Sequence, residues 1–182
     1  MQENIALVQN GFRILLPDMA GYICRELSRV YKNSWWQEVL TALSDQYDLP
    51  SSGEYAELQD SLDVANCLRL IDRRWNDVFR SKLSKDYRTW ATELMGVRNK
   101  VAHLGMRDIA QADAERALDT MARLCDGFDS DGAEEIRALY RKLRYGSEDA
   151  STSSAPAKET TPTGKSKTVA AVLGRHVGEN LP

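Results

Sequence analysis

An arginine, an asparagine and a histidine stand close together in Arg98-Asn99-Lys100-Val101-Ala102-His103, and their types suit phosphodiester chemistry on RNA. A guanidinium grips phosphate bidentately and keeps its charge throughout the physiological range. An imidazole, with an unperturbed pKa of about 6.5, can take the proton from a ribose 2′-hydroxyl or give one to a departing 5′-oxygen. Such a transesterification runs on proton transfer and charge stabilisation, so the expected site uses neither a metal nor a cofactor. Asn99, one turn before His103, can hold the imidazole tautomer or a phosphate oxygen. Arg98 and His103 are therefore the candidate catalytic pair, with Asn99 in support.

The helix that carries them starts after Ser84 and ends before Gly105, a glycine suited to a C-terminal cap. At 100° per residue, Trp90, Leu94, Val97, Val101 and Leu104 share a sector of roughly 80°, the stripe that must face a bundle. Arg98 lies on the flank of that stripe, while Asn99 and His103 share another side, with Met95 and Ala102 between. Lys100 points away from them. The apolar part of the chain holds one histidine, yet the reaction goes best with a general acid and a general base together. A homodimer is therefore expected: pairing through Met95 and Ala102 about a two-fold axis would bring two His103 and two Arg98 side chains into one cleft.

The elements that must position this helix are helical too. Residues 1–146 show apolar positions at spacings of three and four and no strand-turn-strand pattern, which predicts an all-α domain. Expected helices cover about 3–31, interrupted near Pro17, then one from Asn33 or Ser34 to near Tyr47, and a long one from Ser61 to Leu83. After the motif helix come 110–126 and 132–145. With 42% hydrophobic and 28% charged residues in 182, the chain is neither fibrous nor wholly disordered. Residues 147–182 open with SEDASTSSAPAKETTPTGKSK, a small-residue, proline-containing stretch that reads as a flexible linker or tail, with a further domain expected beyond it. Gly164-Lys165-Ser166 resembles the end of a phosphate loop, but the glycine required five positions earlier is Glu159. No signal peptide, transit peptide or membrane span is visible, so the expected location is cytoplasmic.

The net charge of −3 hides an uneven distribution. Residues 69–107 hold ten basic and four acidic side chains, a local +6 that leaves −9 for the rest. Arg73, Arg74, Arg80 and Lys100 are the candidate RNA-backbone contacts in this segment. Helix-turn-helix DNA binding through 69–88 is disfavoured, because Trp75 and Phe79 fit core spacing. Cys24, Cys67 and Cys125, with no C-x-x-C pair, read as small buried hydrophobes.

Arg98-Asn99-x3-His103 at the end of a long helix in an all-α domain resembles the signature of the HEPN superfamily: arginine, a polar residue, then histidine. IDRRWNDVF (71–79), ELMGVRNKVAHLG (93–105) and ERALDTMARL (115–124) are similar to one branch of it. That branch occurs in a eukaryotic nuclear mRNA-surveillance endoribonuclease and at the N-termini of bacterial ATPases and helicases associated with defence or mobile elements. The likeness covers about residues 15–128. It implies a dimerising helical bundle whose paired motifs line a metal-independent endoribonuclease cleft, with Arg98 and His103 catalytic. In a defence or toxin setting the partners would be RNA and an ATPase, helicase or antitoxin. The alternative is a non-catalytic dimerisation, RNA-binding or regulatory module of a larger ATPase or helicase.

Overall fold

The structure, a computed structural model, describes residues 3–46, 48–105, 107–128 and 131–146. Among the described residues seven α-helices run in order: α1 (Glu3–Tyr31), α2 (Trp35–Ala42), α3 (Tyr55–Asp60), α4 (Val64–Arg73), α5 (Lys85–His103), α6 (Gln111–Asp126) and α7 (Gly132–Tyr145). A 3₁₀ turn links α1 to α2, and a π-helical segment, Trp75–Phe79, follows α4. Among the described residues there is no strand, as the periodicity predicts. None of the described helices is long and apolar enough to cross a membrane. The tail expected over 147–182 lies outside the described residues.

The long helix α1 is the hub. Val8, Leu15, Met19, Ile23 and Leu27 repeat at helical spacing, and all are fully buried. Their face packs against α2, α3, α4, α6 and α7. Gly11 lets α6 come close: a Cβ there would sit 2.8 Å from both Leu118 and Met121. α4 and α5 form an antiparallel hairpin, and α5 leans on α4 and α6. All three cysteines are buried and none forms a disulfide, with burial pushing the Cys24 thiol up to about 12.

Three expectations change. α1 runs unbroken through Pro17. The ring is exposed while Leu15 and Met19 are fully buried, so the freed carbonyl one turn earlier faces water and core packing holds the helix together. α2 stops at Ala42, where the Arg73 guanidinium takes the Ala42 carbonyl and the Asp45 carboxylate, each of which would otherwise need another partner; the expected end, Tyr47, lies outside the described residues. The long helix expected over 61–83 begins at Val64, capped by Asp63, and widens after Arg73 into the π turn, where the Arg80 amide donates to the Trp75 carbonyl. Trp75 and Phe79 remain buried, so this basic segment is tied into the core.

Candidate functional site

α5 begins from extended Ser84 and stops where Gly105 takes φ +58°, a left-handed conformation that glycine adopts at no steric cost. Its only fully buried residues are Ala91 and Leu94. Beyond Leu94 the apolar stripe continues through Val97, Val101 and Leu104, but these are half-buried. The last two turns, which carry the Arg-Asn-His motif, therefore stand proud of the bundle.

Arg98 is half-exposed. One guanidinium nitrogen donates to Asn99 Oδ1 at 3.4 Å, and the other lies 3.9 Å from Asp63 Oδ2. Asn99 thus touches the neighbouring guanidinium. Asp63 is already engaged by folding: its other oxygen accepts the Asn66 amide at 2.7 Å as the cap of α4. The arginine is held by one long ion pair and one weak hydrogen bond, and both yield readily to a phosphate. His103, the last residue of α5, is exposed, and its ring has no hydrogen-bond partner among the described residues.

The segment after His103 is tied down from far away in sequence. Asp108 accepts the amides of Asn4, Ile5 and Ile109, and the Asn4 side chain donates to the Ile109 carbonyl at 2.9 Å. Desolvation acts to raise the Asp108 pKa, but those amide hydrogen bonds outweigh it and hold the carboxyl below its ordinary value. The carboxylate satisfies free amides at the start of α1 and thereby anchors the exit of α5.

The four basic candidates do not gather around Arg98. In the antiparallel hairpin, Asp63 at the start of α4 faces Arg98, while Asp72 near its end pairs with Arg88 at 2.7 Å. Arg73 and Arg74 therefore lie at the far end, about 15 Å along α5 at 1.5 Å per residue. Arg73 binds Asp45, whose pKa that hydrogen bond lowers to about 2. Arg74 binds Glu38 at 2.8 Å and covers the Tyr31 ring. Lys100 faces α6 and pairs with Asp113 at 2.6 Å, on the opposite side of α5 from Arg98. Arg80 is exposed, with no side-chain partner among the described residues.

Two grooves of about 330 Å³ each flank the end of α5. One, between α5 and α6, is edged by Lys100 and Asp113. The other opens where α5 stands away from α1, beside Arg98, and includes Phe12, Leu16, Val101 and Ala102. Asp63 and Asp108 escaped the sequence reading. Asp63-x-x-Asn66 is a legible helix cap, but its approach to Arg98 exists only once the hairpin forms, and Asp108 caps a helix more than a hundred residues before it.

Residues 10–129 match the protein-family model described as Swt1-like HEPN. No curated protein and no solved structure matches the chain.

Proposed function

This chain belongs to the Swt1-like HEPN family, and from that premise we propose that it is a metal-independent endoribonuclease acting as a homodimer. The observation that carries this reading is the exposed end of α5, where Arg98 and His103 stand beside half-buried apolar residues that the domain itself does not cover.

In the proposed reaction one His103 takes the proton of a ribose 2′-hydroxyl, and the 2′-oxygen attacks the adjacent phosphorus. The phosphorus–5′-oxygen bond breaks, and the His103 of the second copy gives that oxygen a proton. Arg98 turns from Asp63 to the phosphate and balances the charge that builds on its oxygens. The products are a 2′,3′-cyclic phosphate and a 5′-hydroxyl. Of the four basic candidates, Arg80 is the one with no carboxylate partner to give up, among the described residues, before it takes a phosphate. Arg73, Arg74 and Lys100 reach phosphate only by releasing Asp45, Glu38 and Asp113.

A second reading, a non-catalytic dimerisation or RNA-binding module of a larger ATPase or helicase, uses the same exposed face without proton transfer. Its place in a defence or toxin system, with an antitoxin partner, belongs to either reading. Purified chain incubated in EDTA with single-stranded and structured RNA separates the two. The nuclease reading expects cyclic-phosphate ends from the wild type and none from Arg98→Ala or His103→Ala. Equal background cleavage in all three overturns it.

A further inference from the structure

Beside Arg98, α1, the start of α4 and the end of α5 line the open groove of about 330 Å³ noted above, at the small end of the roughly 300–1,000 Å³ that ligand pockets occupy. Phe12, Leu16 and Val101 make its walls apolar, Ala102 marks the rim where the second copy of the dimer would pack, and three polar side chains sit in its lining: Arg98, Asp63 and Gln9. This composition is wrong for a sugar-phosphate backbone and right for a planar heterocycle whose edge must be read.

We propose that this groove is the nucleobase subsite for the nucleotide that supplies the attacking 2′-hydroxyl, and that Asp63 with Gln9 selects guanine there. The inference rests on Arg98 being the phosphate ligand of the nuclease reading, since a base in the groove then belongs to the nucleotide whose 3′-phosphate Arg98 holds. An ionised carboxylate only accepts hydrogen bonds and offers about four lone-pair sites, so Asp63 keeps accepting capacity after capping α4. Among the four RNA bases, guanine alone presents two adjacent donors, N1–H and the N2 amino group, which match the two oxygens of a carboxylate. Gln9 is exposed on α1 with no hydrogen-bond partner among the described residues, and its amide can donate to guanine O6. Adenine, cytosine and uracil would each leave an acceptor facing Asp63 or a donor facing Gln9, and each such mismatch forfeits a hydrogen bond that guanine makes.

The same residue links recognition to chemistry. While the groove is empty, Asp63 is the ion-pair partner of Arg98 at 3.9 Å. A guanine on Asp63 takes over that carboxylate and frees the guanidinium for the phosphate of the same nucleotide.

The test uses the full chain and two measurements. Short RNAs that differ only in the base 5′ of one cleavable linkage give the preference in kcat/KM, and calorimetric titration compares guanosine 3′-monophosphate with adenosine 3′-monophosphate. The expected preference for guanine is roughly tenfold or more in both, the lower range for a bidentate base contact. Asp63→Asn preserves the cap of α4, because asparagine caps as well as aspartate, and should flatten both preferences; Gln9→Leu should weaken them. Cleavage without guanine preference overturns the subsite and leaves the nuclease reading standing. Guanosine 3′-monophosphate preferred and lost in Asp63→Asn, with no RNA cleaved, supports the subsite and overturns the nuclease. If the variants leave the preference intact and instead shift the monomer–dimer equilibrium, the groove seats a second copy and the subsite falls.

Discussion

Residues 85–94 of α5 contain both of its fully buried side chains, Ala91 and Leu94, and are pinned from two sides by Arg88–Asp72 at 2.7 Å and Arg116–Glu93 at 2.5 Å. Residues 95–103 bury none fully, hold Arg98 to Asp63 at 3.9 Å with Lys100–Asp113 at 2.6 Å as their short ion pair, and leave His103 exposed. One continuous helix thus changes role at Leu94. Its first half is specified by the core of its own domain, and its second half presents the Arg-Asn-His motif on a stem that the first half keeps rigid. In the proposed nuclease, a catalytic pair on such a stem would keep its orientation without being buried, which suits groups that must meet a large polyanion.

Substitutions on either side of Leu94 should separate these roles, and the largest effect is on turnover. His103→Ala and Arg98→Ala should each lower cleavage by about 10²–10⁴-fold while leaving urea stability within ~0.5 kcal/mol of wild type. Leu94→Ala should do the reverse, losing about 2–5 kcal/mol in urea melts, with activity retained by the molecules that stay folded. Loss of folding in His103→Ala, or a stable Leu94→Ala, would erase the distinction. Next comes Met95→Glu, which sets like charges against each other across the expected two-fold axis, a juxtaposition that costs several kcal/mol. Sedimentation should show a monomer with unchanged helical circular dichroism and little cleavage. A dimer that persists with full activity places the axis elsewhere.

Much of this contrast was legible in the sequence, for physical reasons that name its limits. Ser84 and Gly105 bracket α5, and the stripe Leu94-Val97-Val101 gives its orientation, because helix ends and helical faces are local properties. How deeply each stripe position is buried is not local. Val97 and Leu94 look alike in sequence, and only the placement of α4 and α6 decides that Leu94 is covered completely and Val97 partly. The π turn after Arg73 escaped for a related reason: one extra residue per turn leaves Leu68, Ile71, Trp75 and Phe79 all buried, so the apolar spacing carries no trace of it. α3 is six residues long and buries only Leu58, too little periodicity to register. The scatter of Arg73, Arg74 and Lys100 was equally invisible, since a run of basic residues says nothing about which carboxylates fold back onto them.

A smaller effect concerns how the exposed half is anchored. Asp108 has its pKa held below the ordinary 3.8. A depressed carboxylate contributes stability above its unfolded pKa, and that contribution is lost as pH falls through the folded value. Thermal melts should therefore weaken below about pH 4, and part of that weakening should be absent in Asp108→Ala, which already lacks the anchor. Identical acid profiles for the two proteins would show that the Asp108 contacts to Asn4 and Ile5 add nothing to stability.

The smallest effects lie at the far end of the α4–α5 hairpin, and they ask whether RNA reaches it at all. A strand lying on Arg98 and continuing toward the start of α5 meets Arg80 as an unpaired cation, whereas Arg73 is already neutralised by Asp45. Binding phosphate there would mean breaking the Arg73–Asp45 pair, so little net counterion release is available. For a single strand, each phosphate contact contributes about 0.7 to the slope of log K against log salt. Arg80→Ala should reduce that slope by about this amount, and Arg73→Ala should leave it nearly unchanged. Equal reductions in both variants would mean that Asp45 does not neutralise Arg73 in solution. No reduction in Arg80→Ala would confine the strand to the exposed half of α5, and the two halves would then divide function as sharply as they divide burial.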